Sequence, residues 1–276
     1  MPYCLLFPGQ GTQFPGMDAG LDLKGLDERL KGLMHAGPEE ELNQTIHAQP
    51  AVVAASLALW KTSEFKEPKM VLGHSLGEYT ALAAAGSLSE EEAIALVTRR
   101  GSYMQASQPG SMAAVLGLDR EKIEEVLQGA GEVWVANINA PGQIVISGKA
   151  SAVSEVTSML KAQGGKVIPL KVSVASHCPL MRQAAVQLSD HLAGVRLSKP
   201  ARCVVFNASA RPEDDPERIR TLLADQLISP VRWVESIAYV LSQGIDHFIE
   251  IGPKSVLAAF VKRIAPQARV ETRTLR

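Results

Sequence analysis

The chain has 276 residues, 46% hydrophobic and 21% charged, with a formal net charge of −1 at pH 7. This is globular composition near the size at which one core divides into two domains, and near-neutral charge gives no electrostatic case for a nucleic-acid partner. Three scattered cysteines (Cys4, Cys178, Cys203) fit no metal-ligand spacing and suit a reducing compartment, and no apolar run reaches membrane-spanning length, so a cytoplasmic protein without metal or membrane contact is expected.

Residues 3–7 are a short apolar run followed by Pro8-Gly9-Gln10-Gly11-Thr12-Gln13. The glycine spacing matches neither a dinucleotide fingerprint nor a P-loop. The loop reads instead as exposed backbone at the C-terminal end of a central strand, where open α/β sheets place ligands. Residues 18–41 are polar and glycine-punctuated, and predict short helices and loops. Residues 51–60 are almost wholly apolar and predict a helix buried on most sides.

At 70–73 a second apolar run ends in Gly73-His74-Ser75-Leu76-Gly77, and an Ala-rich run at 76–85 predicts a helix. A strand, G-x-S-x-G and a helix together make a nucleophile elbow, a sharp turn that lifts a serine hydroxyl off the sheet. The alternative is a tight structural turn. The flanking strand and helix favour Ser75 as a nucleophile, facing the unpaired N–H groups of the helix that follows.

Ser89 and Glu92 form a capping box that opens the next helix. Its apolar stripe runs through Ala93, Val97 and Met104, with Leu96 beside it, and Arg100 falls on that stripe while Arg99 is rotated off. An inward guanidinium is costly unless a carboxylate or carbonyls meet it. Either Arg100 makes a structural contact, or its partner arrives with a substrate.

The rhythm changes over 111–174. Strands at 112–116, 133–137, 143–147 and 166–174 alternate with helices at 120–128 and 151–163. The order β-α-β-β-α-β is the ferredoxin-like pattern, a small domain inserted into a larger one, its last strand leading back into the main sheet. Helices at 179–193, 218–228, 234–243 and 256–264 and strands at 203–206 and 248–251 complete a doubly wound, mostly parallel α/β sheet.

Six histidines compete to serve Ser75. His247 precedes its strand, His191 is mid-helix, and His35 and His47 lie in the least organised region. His74 alternates away from Ser75. His177 alone follows an apolar strand, at the edge that carries Ser75 and Gln10, and a general base must come within about 3 Å of its nucleophile. Asp225 and Glu250 are poor candidates for a third member, and a carbonyl can orient an imidazole instead. Cys178 reads as a buried cysteine.

Taken together, these residues resemble the malonyl-CoA:acyl-carrier-protein transacylases and, more distantly, the acyltransferase domains of polyketide synthases. The resemblance rests on Phe7-Pro8-Gly9-Gln10-Gly11-Thr12-Gln13, Gly73-His74-Ser75-Leu76-Gly77-Glu78 and Arg100-Gly101-x-x-Met104. It extends through Asn137-x-Asn139-x-Pro141-Gly142-Gln143, Ser176-His177, Gln226-Leu227-x-x-Pro230-Val231-Arg232-Trp233 and Gly252-Pro253. It implies an α/β-hydrolase-like large domain at 1–108 and 175–276, and a ferredoxin-like subdomain at 109–174.

The same resemblance implies that malonyl-CoA acylates Ser75 while His177 takes and returns the proton. Backbone N–H groups of Gln10 and Leu76 would form the oxyanion hole. Arg100 would hold the malonyl carboxylate, and the Gln226 carbonyl would orient His177. The acyl group would leave on the phosphopantetheine thiol of an acyl carrier protein, for fatty acid or polyketide synthesis. No tightly bound cofactor is implied, and the expected state is a monomer. Carrier proteins are usually acidic, so docking would use exposed Lys or Arg near the cleft. Two other readings share the fold: a hydrolase acting on acyl carrier proteins, and a malonyl-loading subunit of a polyketide or malonate decarboxylase system.

Overall fold

The computed structural model describes every residue except Lys24, Ser173 and Arg276. Among the described residues the strands are β1 (Cys4–Phe7), β2 (Met70–Gly73), β3 (Ser111–Leu116), β4 (Val133–Ala140), β5 (Gln143–Gly148), β6 (Lys166–Pro169), β7 (Cys203–Phe206), β8 (Arg211–Pro212), β9 (His247–Gly252) and β10 (Arg269–Thr274). They form a six-stranded sheet of order β10-β9-β1-β2-β7-β8 and a four-stranded sheet of order β4-β5-β3-β6. The first is parallel except for the β7–β8 pair, and the second is antiparallel. This is the α/β class expected, with the ferredoxin-like order in the smaller sheet.

Both faces of the central strands β1, β2, β7 and β9 are covered, which is why these four are largely apolar. Leu5, Phe7, Val71 and Ile249 pack with Val52, Leu82 and Val97 from the helices Thr45–Thr62, Gly77–Ala84 and Glu90–Gln105. Cys4, Leu6, Leu72 and Phe248 face the other way, onto Trp233, Ile237, Val240 and Val261 of the helices Trp233–Ser242 and Leu257–Ile264. The small sheet buries Val115, Ile144 and Ile146 against Ile123, Val156 and Leu160 of its two helices, Arg120–Leu127 and Ala150–Ala162. No described helix is long and apolar enough to cross a membrane.

Several boundaries depart from expectation. The strand expected at 166–174 stops at Pro169, where the ring removes a ladder donor; Val174 makes only an isolated bridge to Pro109, and Ser173 lies outside the described residues. The chain therefore returns to the large sheet not through that strand but through a loop and the helix Arg182–Leu192. The helix expected at 51–60 spans Thr45–Thr62 with Pro50 inside it, so His47 is helical rather than in a disorganised region. The capping box is present, Ser89 Oγ accepting from Glu92 N at 3.1 Å and Glu92 Oε2 accepting from Ser89 N at 2.9 Å. Strands β8 and β10 have no counterpart in the sequence reading.

Candidate active site

The C-terminal ends of β1 and β2 lie side by side, Phe7 in register with Gly73. This brings the Pro-Gly loop against the elbow with no room between them. A Cβ on Gly77 would sit 2.1 Å from the Phe7 carbonyl oxygen, and one on Gly9 would sit 2.6 Å from that of His74. Ser75 is held at the apex with φ of 53°, a left-handed conformation that costs a non-glycine residue energy. Asn207, just past β7, fixes the turn from both sides. Its Oδ1 accepts from Ser75 N at 2.6 Å, and its Nδ2 donates to Gly73 O at 2.7 Å.

His177 also has positive φ, 62°, and its Nε2 lies 2.7 Å from Ser75 Oγ. Its Nδ1 lies 2.8 Å from the main-chain oxygen of Gln226, where the helix Pro216–Asp225 tightens into a 3₁₀ turn. A carbonyl only accepts, so Nδ1 carries the proton and Nε2 is free to take one from Ser75. His177 is 3% exposed. Burial, reinforced by the Arg100 charge, pushes its pKa down to about 3, so the imidazole is a neutral base at physiological pH. Neither carboxylate candidate joins it. Asp225 is exposed, and Glu250 accepts from the N–H groups of Val256, Leu257 and Ala258 and from Ser255 Oγ.

Arg100 is 2% exposed, on the inward face of its helix. Its Nη1 donates to Gln49 Oε1 at 2.8 Å and its Nη2 to Gln226 Oε1 at 3.0 Å, while the Tyr79 ring lies 5.6 Å from the guanidinium carbon. Among the described residues no carboxylate comes within ion-pair distance of it, and its buried Nε has no hydrogen-bond partner. Two neutral amides thus hold a buried cation whose charge is unpaired.

The remaining positions follow from the same edge. Gln10 sits in the loop after β1, its Oε1 accepting from Thr45 Oγ1 at 2.8 Å, and Leu76 begins the turn into the helix after Ser75. Neither Gln10 N–H nor Leu76 N–H has an acceptor among the described residues. His74 turns away from Ser75, its Nε2 lying 2.8 Å from Asn139 Oδ1 on β4 and its ring centroid 5.3 Å from that of Trp233. Cys178 is buried, its Sγ donates to Ala175 O at 3.1 Å, and burial pushes its thiol pKa up. No group of three or more described His, Cys, Asp or Glu residues is placed to hold a metal ion.

The sequence reading missed Asn207, Gln49, Tyr79 and Glu78. Asn207 ends a strand at the edge that bears Ser75 and His177. Glu78 is a charged residue in an otherwise apolar helix. Both were visible signals.

The acyl transferase domain family matches residues 22–275 of this chain. The malonyl CoA-acyl carrier protein transacylase of Escherichia coli (strain K12) is 40% identical, with 95% of this chain and 92% of that protein covered. Its counterpart in Bacillus subtilis (strain 168) is also 40% identical, covering 94% and 89%. The solved malonyl CoA-acyl carrier protein transacylase of Coxiella burnetii superposes with a TM-score of 0.92 at 38% identity, over 99% of this chain and 94% of that one. A malonyl-transacylase solved in complex with a type II polyketide acyl carrier protein gives the same TM-score, 0.92, and identity, 38%, over 99% and 96%.

Proposed function

Because the chain belongs to the acyl transferase domain family, we propose that it moves a malonyl group from malonyl-CoA to the phosphopantetheine thiol of an acyl carrier protein, through an ester on Ser75. The observation that carries this reading is Arg100, a buried cation paired with no carboxylate and joined through Gln226 to the Ser75–His177 pair. A hydrolase of uncharged acyl groups has no use for such a charge. A malonyl group brings the missing carboxylate, and the planar guanidinium suits its two oxygens.

Ser75 Oγ attacks the thioester carbon as its proton passes to His177 Nε2, and the Gln226 carbonyl holds the imidazolium by its other N–H. The N–H groups of Gln10 and Leu76 receive the oxyanion; removing one such donor typically costs about 10²–10³ in rate. The tetrahedral adduct collapses, the C–S bond breaks, and His177 returns the proton to the CoA sulfur. The carrier thiol then repeats the sequence in reverse, restoring the Ser75 hydroxyl. Pairing Arg100 with the malonyl carboxylate also relieves its depression of the His177 pKa, so the base strengthens when the correct acyl group is bound.

In this reading CoA and phosphopantetheine enter as substrates and no tightly bound cofactor is needed. A monomer working in the cytoplasm on the carrier of fatty acid or polyketide synthesis suits the chemistry. We also propose that 109–174 is a subdomain inserted between 1–108 and 175–276. Brief mixing with malonyl-CoA, without carrier protein, should give a malonyl adduct by intact-protein mass. Ser75→Ala should abolish it, and acetyl-CoA should give little. Ser75-dependent release of free CoA without an adduct would move the reading to a hydrolase.

A further inference from the structure

Glu78 is fully buried in the first turn after the nucleophile, and no step above uses it. Its carboxyl accepts two N–H donors, the main-chain N–H of Asn207 and the side-chain Nε2 of Gln226. These two residues hold the rest of the site. Asn207 fixes Ser75 N and Gly73 O. Gln226 donates from Nε2 to Ser75 O at 3.0 Å, accepts Arg100 Nη2 on Oε1 at 3.0 Å, and faces His177 with its main-chain oxygen.

A carboxamide has a donor end and an acceptor end, and only one arrangement serves Arg100. One Glu78 oxygen accepts from Asn207 N–H and the other from Gln226 Nε2, so the amide turns its donor end to Glu78 and leaves Oε1 for the guanidinium. Burial raises the Glu78 pKa to about 8, against the pull of its two donors and of Arg100. The titratable groups that act on it are Arg100 and Tyr79, and its hydrogen-bonded path to the cation runs through the Gln226 amide.

We propose that Glu78 is a positioning residue that sets the orientation of the Gln226 carboxamide and thereby aims Arg100 at the acyl carboxylate. The proposal rests on the acyl-transfer reading above and adds a determinant of its specificity. Glu78→Gln is nearly isosteric, but it offers one acceptor to two donors. Either Asn207 N–H loses its partner or Gln226 turns over and presents N–H to the guanidinium.

The test measures kcat and KM for ester formation on Ser75 with malonyl-CoA and with acetyl-CoA, alongside thermal unfolding. Folded Glu78→Gln should lose about tenfold or more in malonyl kcat/KM, mostly through KM, while acetyl kcat/KM changes by less than about threefold. A merely structural role would lower both substrates alike and leave their ratio unchanged, and that result would overturn the proposal. Gln226→Met, which keeps the main-chain carbonyl and removes the amide, should reproduce the loss of ratio and carries the test if Glu78→Gln does not fold. An unchanged ratio in Gln226→Met would also overturn it. Absence of any Ser75 ester in the wild-type protein would instead overturn the acyl-transfer reading, and this inference with it.

Discussion

Arg100 and His177 share one neighbour, Gln226, yet need opposite things from burial. For Arg100, burial leaves a charge to be answered by substrate. Arg100→Ala should therefore lower malonyl kcat/KM by roughly 30- to 1,000-fold, about 2–4 kcal/mol, while acetyl transfer is unaffected or faster. An unchanged malonyl-to-acetyl ratio would sink the carboxylate clamp. For His177, burial keeps the base neutral. Its pKa falls from 6.5 to about 3 on folding, so between those values the unfolded chain binds the extra proton. The resulting stability is fully present above pH 6.5 and is lost as pH falls toward 3. Glu78 works the other way, raised from 4.5 to about 8, so its contribution is present below pH 4.5 and is lost as pH rises through 8. Urea midpoints from pH 4 to 7 should show a shallower acid limb in His177→Gln than in the wild type; parallel curves would contradict the assignment.

The elements most legible in the sequence are those whose signals are local. The capping box lies within four residues, the elbow within five, and helical period alone puts Arg100 on the inward face of its helix, with its role left open. Asn207 and Glu78 are visible as residue types, but their roles are not, because their hydrogen-bond partners lie far along the chain, 132 residues between Asn207 and Ser75 and 129 between Asn207 and Glu78. Strand β10 was missed for another reason. Its Arg269, Glu271 and Arg273 show no apolar alternation, and it is a strand because β9 offers an open edge, which charged residues then close. The elbow's geometry makes its own prediction. In Gly77→Ala the new methyl would meet the Phe7 backbone at 2.1 Å, which no rotamer change relieves. A loss of about 3 kcal/mol or more is expected, with inactivation, readable as a lowered thermal midpoint.

Across the whole molecule β4 and the turn after it meet the segment before the helix Trp233–Ser242 and the helix Leu257–Ile264. Ile138 N donates to Val231 O at 2.9 Å, Val231 N donates to Ala136 O at 2.8 Å, and Arg263 Nη2 donates to Pro141 O at 2.8 Å. His74 and Asn139 add the contact nearest the nucleophile. The two ends of the stretch 109–174 are adjacent, since Pro109 bridges Val174. A short Gly-Ser linker in place of 109–174 should therefore leave a large sheet that still unfolds cooperatively in urea, while ester formation on Ser75 drops sharply for want of Asn139 and its strand. Loss of cooperative unfolding would overturn the proposed division.

The left-handed backbone at Ser75 and His177 has a consequence for how this chain could change. Each conformation costs a non-glycine residue about 1–3 kcal/mol, and glycine would adopt it freely. A screen that rewarded only heat resistance would thus favour glycine at Ser75, whose short side chain fills little space, but not at His177, whose buried ring packs and bonds Gln226 O. Keeping serine there requires selection for turnover itself.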